Sequence, residues 1–314
     1  MSEALPRLSV IVPTYNRAGV LSKCLEALME QDCPGERYDI VVADDGSTDG
    51  TAAVAERFAR RGTPRVVYFH QQNAGANRAR NRAIGLVRGE LLLLINDDVL
   101  ATPGMLSEHL GTHDQNPDER IAVLGRVTIS PDLPPTPLAA LHLDRAFKAL
   151  GERRRHDWRA FFTCNVSLKK SLLDRGGLFE ERIRYLEDLE LGERLSRHGL
   201  EILYRPEALG YHHHALTEEE LLAIAAREAR ALAIWSSLAP HLREELGALG
   251  LEPALPPGRR LRHIAADLLF NPATEGAWRY LARGDWNRRA AVFLYGQIYL
   301  AARRRHLKRE LRQR

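Results

Sequence analysis

Two pairs of adjacent carboxylates each end an apolar run: Asp97 and Asp98 close GELLLLINDDV, and Asp44 and Asp45 close YDIVVADD. A short apolar run bounded by glycine and turn residues reads as a strand buried on both faces. Carboxylates side by side at its end repel unless a cation or a set of donors offsets the charge. Mg²⁺ or Mn²⁺ carried on a diphosphate is the natural partner, because such ions accept one or two protein carboxylates plus phosphate oxygens. The plain alternative is a polar turn capping the next helix, and Ser47 and Asp49 are read that way. If both strands belong to one parallel sheet, the two pairs leave it at the same edge, where open α/β sheets bind ligands.

Other residues have chemistry to add there. A carboxylate such as Asp45 can accept the imide N–H of a uracil or thymine ring. Tyr15, after the first strand, offers an aromatic face for a base, although a lone tyrosine is as readily ordinary packing. Among Arg78, Arg80 and Arg82, one is expected to clamp a diphosphate and the others to be solvated; Arg78 and Arg82 share a helical face. In YLEDLELGERL, Asp188 falls on the stripe of Leu191 and Leu195, while Glu190 and Glu193 point away and pair with arginines. A carboxylate on an apolar stripe is partly desolvated, which lifts its pKa toward the range of a general base. In YHHH, strand alternation puts His212 and His214 on one side and His213 on the other, and imidazole suits a metal among oxygen ligands.

The elements that must position these groups alternate. Strands are expected at Leu8–Val12, Tyr38–Ala43, Arg65–His70 and Glu90–Ile95, with Pro13 ending the first. Helices follow at Ala18–Gln31 (capped by Asn16), Thr51–Arg61 (closed by Gly62) and Ala76–Arg88. This is a βαβ pattern and predicts an α/β fold with a mostly parallel, Rossmann-like sheet flanked by helices. No GxGxxG follows the first strand, which argues against a dinucleotide oxidoreductase. Further on come a helix at Pro103–Asp114, a strand at Ile121–Ile129, a flexible insertion at Ser130–Ala160, a strand at Phe161–Leu168, a helix at Leu186–His198 and a strand at Glu201–Tyr204. Beyond Thr217 the texture becomes Ala/Leu/Glu/Arg-rich, giving a domain at 1–215 and a helical extension at 216–314.

The bulk numbers agree with that division. The chain has 314 residues, 45% of them hydrophobic, and a net charge of +4, so no global basic field points to nucleic acid. Three cysteines without a CxxC pair suit a reducing cytosol. The amino terminus lacks the pattern of a signal peptide, and no apolar run is long enough to span a bilayer. The expected location is cytoplasmic. The segment Ala290–Ala302, followed by RRRHLKRELRQR, reads either as a helix packed on the catalytic domain or on a dimer partner with a solvated basic end, or as a peripheral contact with an anionic membrane.

Taken in order, VPTYNR, VVADDGSTDGT, NAGANRARNRAI, GELLLLINDDV, FTCNVSLKKSLLDRGGLFEE, YLEDLELGERL and PEALGYHHH resemble glycosyltransferase family 2 over the first two-thirds of the chain. The resemblance implies a GT-A fold, a nucleotide-diphosphate sugar donor, a divalent cation (Mn²⁺ or Mg²⁺) and inversion at the anomeric carbon. It places Pro13, Thr14, Tyr15 and Asp45 at nucleoside-binding positions, Asp97 and Asp98 in the DxD region, Asp188 of the Glu187–Asp188 pair as catalytic base, and His212 as the late metal-site histidine. The departure is Asn96, where the family's first DxD aspartate stands.

The reading that follows is an inverting transfer to an acceptor hydroxyl of unknown identity. Asp98 and the histidines His212 and His214 hold the ion. Arg78 or Arg80, Asp97, Glu187 and Asn165 contact the nucleotide sugar. The rivals are a sugar nucleotidyltransferase, for which PTYNRAG is a poor phosphate loop, and a non-catalytic nucleotide- or carbohydrate-binding module.

Overall fold

The computed structural model describes residues 5–139, 141, 143, 145–242, 246–247, 257–284 and 287–313. The first four residues, part of the amino-terminal reading above, lie outside this range, as do residues 243–245, 248–256, 285–286 and 314 of the helical extension. The described chain forms two compact units. One comprises Met1–Leu133, Ala146–Glu181 and Glu187–His214; the other comprises Pro134–Arg145, Arg182–Leu186 and Ala215–Arg314.

The first unit is built on a nine-stranded sheet. Its strands are β1 (Leu8–Thr14), β2 (Tyr38–Asp44), β3 (Arg65–His70), β4 (Leu91–Ile95), β5 (Val99–Ala101), β6 (Ile121–Ile129), β7 (Arg155–His156), β8 (Asn165–Lys169) and β9 (Glu201–His212). The order is β3-β2-β1-β4-β8-β6-β9-β5, with β7 added on β9. Pairing is parallel from β3 through β4 and between β6 and β9, so six strands run one way against β5, β7 and β8. Every residue of β1, β2, β4 and β8 is buried, as continuous apolar runs covered on both faces require. The crossovers are α1 (Ala18–Met29), α2 (Thr51–Ala59) and α3 (Ala76–Ile84), and α4 (Met105–Gln115) packs against β6 and β9.

Several boundaries move for physical reasons. β1 does not stop at Val12: its pairing with β2 runs through Pro13↔Ala43 to Thr14↔Asp44, while its pairing with β4 ends at Ile11↔Leu94. Pro13 therefore stands where the β4 ladder no longer needs a donor. Asn16 is not the helix cap; it sits at φ 52° and its Oδ1 accepts the Thr48 N–H, while Asp49 Oδ2 accepts from Ala18 N at 3.0 Å. β9 continues past Tyr204 to His212 because a register shift between Gly125 and Arg126 lets it pass Pro206. The insertion holds the short helices α5 (Pro137–Ala139) and α6 (Arg145–Leu150) and the strand β7. Residues Trp158–Ala160, ahead of β8, form a 3₁₀ turn capped by Asp157. α7 (Lys170–Gly176) and α8 (Glu187–Ser196) complete this unit.

A buried polar network ties β8 to its neighbours. His109 on α4 contacts Ser167 Oγ (2.8 Å) and Asn165 Oδ1 (2.9 Å), and His113 Nε2 contacts Ser167 Oγ (2.9 Å). Asn165 Nδ2 donates to the carbonyls of Ala208 (2.8 Å) and Arg126 (3.3 Å). Burial pulls the histidine pKa values down to about 4 and about 3, so both rings are neutral members of a packed core.

The second unit is helical: α9 (Glu218–Leu238), opened by a Thr217/Glu220 capping box, then α10 (Pro257–Leu269), α11 (Glu275–Arg283) and α12 (Arg288–Arg312). Its core joins Leu138, Leu221, Phe270, Leu294, Tyr295 and Ile298. The basic stretch of α12 is not simply solvated. Arg303 pairs with Glu228 (2.9 Å), Arg304 with Asp267 (2.7 Å), Arg305 with Glu275 (2.8 Å) and Lys308 with Asp267 (3.0 Å).

The register shift depends on Gly125, where a Cβ would lie 2.2 Å from Asn165 Nδ2 and 2.3 Å from the Ala208 carbonyl oxygen. Gly125→Ala should destabilise the protein by about 1–3 kcal/mol through overpacking, read as a lower urea midpoint at unchanged m-value; an unchanged midpoint would mean that this junction is soft.

Candidate active site

The site opens where β1 parts from β4. β1 keeps β2 on one side while its β4 ladder ends three residues earlier, so a crevice forms at the carboxyl ends of the strands, at the point where strand order reverses. Asp97 and Asp98, both buried, form one wall. Thr14 Oγ1 donates to Asp97 Oδ2 at 2.8 Å. Arg17 bridges the pair, with Nη1 at 2.9 Å from Asp97 Oδ1 and Nη2 at 2.9 Å from Asp98 Oδ2. Burial nonetheless pushes Asp97 up to about 6; Arg17 works against that rise and Asp98 adds to it.

β9 brings the histidines to this wall. The backbone N–H of His213 donates to the Asp98 carbonyl at 2.7 Å, and Val99 pairs with His212. His212 Nε2 lies 3.5 Å from Asp98 Oδ2, and burial holds this imidazole below its usual pKa, hence neutral. Asp98 Oδ1 and His212 Nδ1 are buried without hydrogen-bond partners. An orphaned carboxylate oxygen beside a neutral imidazole fits a hard divalent cation that brings its own phosphate oxygens. Among the described residues no preassembled group of three such ligands exists. His214 stands edge-on to His212 with 6.1 Å between ring centroids, as alternation requires, but the three-ligand set expected from Asp98, His212 and His214 is not formed.

The second carboxylate group starts α8. Leu186, at φ 58°, turns the chain into the helix. Arg80 is buried, stacks over Phe179 (5.4 Å) and reaches Asn77 Oδ1 (3.0 Å) and Glu187 Oε1 (2.8 Å). It thus fixes the residue next to Asp188, a different task from the diphosphate contact expected of it. Asp188 is half-buried, and its Oδ1 accepts the Leu189 N–H at 2.8 Å. Desolvation raises it to about 7, with Glu187 adding and the Leu189 hydrogen bond and Arg80 opposing. The Cys164 thiol is pushed up to about 12 by burial and by the charges of Asp188 and Asp98, which sets both carboxylates around one residue. α8 can come this close because Gly192 leaves room: a Cβ there would be 2.7 Å from Phe161 Cβ. Leu191 and Leu195 are buried as expected. Glu190 and Glu193 are buried too, held by Arg194 and Arg197 one turn on.

The remaining expected residues divide. Tyr15 is 47% exposed at the crevice edge, and Pro13 and Thr14 lie just before it. Asp45 is buried and already accepts from Gln71 Nε2 (2.8 Å), Ala74 N (2.9 Å) and Gly75 N (2.8 Å), so it anchors the 71–75 loop and has only its remaining lone pairs to offer a base. Arg78 is exposed, and Arg82 stacks on Phe69 (4.7 Å). Asn165 is corrected: its amide is fully buried in the α4–β8–β9 network and is not presented to a sugar. Arg17 was missed. Four carboxylates at one edge demand a counter-ion, and the nearest cation in sequence to Tyr15 was the place to look.

A mostly parallel sheet with paired carboxylates at its switch point is the layout of an α/β domain that binds its ligand at the carboxyl ends of the strands. The sequence profile of Glycosyl transferase family 2 matches residues 9–177, more than half of the chain, and the chain belongs to that family. Validoxylamine A glucosyltransferase of Streptomyces hygroscopicus subsp. jinggangensis (strain 5008) is 32% identical over 237 residues, covering 66% of this chain and 55% of the relative. The chain thus spans little more than half the length of that relative. The mannosyltransferase PcManGT from Pyrobaculum calidifontis, solved with GDP-Man and Mn²⁺, superposes with a TM-score of 0.65 at 21% identity, covering 97% of this chain and 88% of that one. TarS 1-349 of S. aureus, solved with UDP, gives 0.56 at 17% identity, covering 98% and 91%. These two likenesses are of fold.

Asp188 yields a stability prediction. Its folded pKa is raised above that of the unfolded chain, so ionising it costs stability progressively as pH rises from about 4 to about 7. Asp188→Asn should therefore melt higher than the native protein at pH 8, with the gain shrinking through that window and absent below about pH 4. A pH-independent difference would place Asp188 in an ordinary solvated setting.

Proposed function

We propose that the protein transfers a sugar from a nucleotide-diphosphate sugar to an acceptor hydroxyl with inversion at the anomeric carbon. The observation that carries this reading is the Asp97–Asp98 pair with its orphaned oxygen beside neutral His212 at one sheet edge, and the raised-pKa Asp188 at the start of α8, which acts together with Asp98 on the Cys164 thiol. An aspartate with a pKa near 7 is ionised in part at neutral pH and basic enough to take a proton. Asp188 accepts the proton of the acceptor hydroxyl; the oxygen forms a bond to C1 of the sugar as the bond from C1 to the diphosphate oxygen breaks. The nucleoside diphosphate departs with the electron pair.

Asp98 and His212 would hold a divalent cation, Mn²⁺ or Mg²⁺, which supplies charge stabilisation for the departing diphosphate. Arg17, already on both carboxylates, offsets their mutual repulsion and holds them close together. Thr14 fixes Asp97, and Arg80 holds Glu187 so that α8 presents Asp188. The exposed ring of Tyr15 is suited to stack on the base. UDP- or TDP-sugars are favoured by the carboxylate at Asp45, and the GDP-Man in PcManGT keeps a guanine nucleotide in the test set. Among the described residues no helix is long and apolar enough to cross a membrane.

Incubation with Mn²⁺ and a panel of UDP-, TDP- and GDP-sugars should release nucleoside diphosphate; release of pyrophosphate instead would identify a nucleotidyltransferase. In Asp188→Asn, turnover should fall by about 10²–10⁴ while nucleotide affinity stays near native. A variant that loses nucleotide affinity at intact turnover would remove Asp188 from the role of base. Asp98→Ala should keep its melting cooperativity yet lose the Mn²⁺ dependence of UDP binding in calorimetry; retained dependence would put the ion elsewhere.

A further inference from the structure

The second unit carries exposed apolar residues to which the reading above gives no role. On α10, Leu261, Ile264, Ala265 and Leu268 follow the i, i+3, i+4, i+7 pattern of one helical stripe, and that stripe faces out: Leu261 is 69% exposed and Leu268 73%. On α11, Ala277, Tyr280 and Leu281 are exposed as well, Tyr280 to 78%. The pair is not loosely attached. Phe270 and Trp278 turn inward and meet at 5.0 Å in the unit's core, and Trp278 Nε1 donates to the Leu269 carbonyl at 2.8 Å. The segment from α10 through α11 thus places Phe270, Trp278 and Ala282 in or against the core and a second set of apolar side chains outside. Contiguous outward apolar area of this kind marks an interaction surface.

Charge selects the occupant. The carboxylates of these helices are tied off within the unit: Asp267 by Arg304 and Lys308, Glu275 by Arg305, and the neighbouring Glu218 by Arg279 and Arg283. Among the described residues, Arg262 is exposed and borders the α10 stripe, and Arg288 and Arg289 are exposed where α12 opens. Thirteen residues of helix are about 20 Å long, too short to span a bilayer but suited to lie in its surface, with arginines at the headgroups and Tyr280 at the boundary.

The geometry points to the exposed apolar stripe of α10, with the exposed apolar residues of α11 that follow it, as a peripheral membrane-binding surface for anionic lipid. This contact lies on a different element from the basic carboxyl-terminal run, whose cations are largely engaged in internal ion pairs. It is independent of the assigned chemistry.

Vesicle flotation of the full chain tests it. At low salt the protein should rise with phosphatidylcholine vesicles containing phosphatidylglycerol, and much less with phosphatidylcholine alone. Leu261→Glu combined with Leu268→Glu changes two exposed side chains, so circular dichroism and melting should stay native while binding falls at least tenfold. Arg262→Glu should weaken binding and its salt dependence. The inference is overturned if the native chain does not rise with anionic vesicles, or if the double variant rises equally well. It is also overturned if sedimentation shows a native dimer that the double variant dissolves without any vesicle binding, which would make this face a contact between copies. Sugar-nucleotide turnover by the double variant at native rate keeps the outcome separate from that of the catalytic reading.

Discussion

Confining like charges at one sheet edge is the constraint on which the rest depends. Two unit charges about 4 Å apart repel by about 4 kcal/mol at an effective dielectric near 20, and Asp97 and Asp98 are both buried. Arg17 answers that repulsion from the far end of the β1–α1 turn, with one guanidinium nitrogen on each carboxylate. The turn must therefore be rigid. Asn16 in the left-handed region, Ser47 Oγ accepting the Asn16 N–H at 2.8 Å, and Asp49 holding both Ala18 N and Thr51 N make it so. Residues that look like helix caps in the sequence here set the position of a counter-ion.

The same edge depends on what stands behind it. β8 runs antiparallel between β4 and β6, and its neutral His109–Asn165–Ser167–His113 network joins α4 to the β6–β9 register shift. That shift lets β9 extend to His212 and bring an imidazole beside Asp98. Burying this much polar surface is tolerable because nearly every group in it is paired. It also over-determines the position of the strand that follows Cys164.

The second unit follows a different economy of charge. Its acidic groups are matched internally by arginines, and its apolar residues are divided between a core and an outer face. The basic end of α12, which in sequence looks like a free cationic tail, lies against Glu228, Asp267 and Glu275. These partners are 30 to 75 positions away along the chain, beyond the reach of any local pattern.

The sequence by itself determined the βαβ order, the burial of β1, β2 and β4, and the delivery of Asp44–Asp45 and Asp97–Asp98 to a common edge, because a strand's burial and direction follow from local apolar runs and short connections. It also put Asp188 on the stripe of Leu191 and Leu195, since 100° per residue is a local rule. Other features were decided only by tertiary structure. These are Arg17 as counter-ion, Arg80 turned onto Glu187, Asn165 withdrawn into the core, His212 without His214 at Asp98, and the outward stripe of α10. The first four depend on which distant group arrives in contact, and the last on none arriving; side-chain type at one position carries no record of either. An asparagine after an apolar strand is equally a ligand or a core partner until the strand beside it is known; here a register shift at Gly125 puts the Ala208 carbonyl against its amide, and that contact decides it.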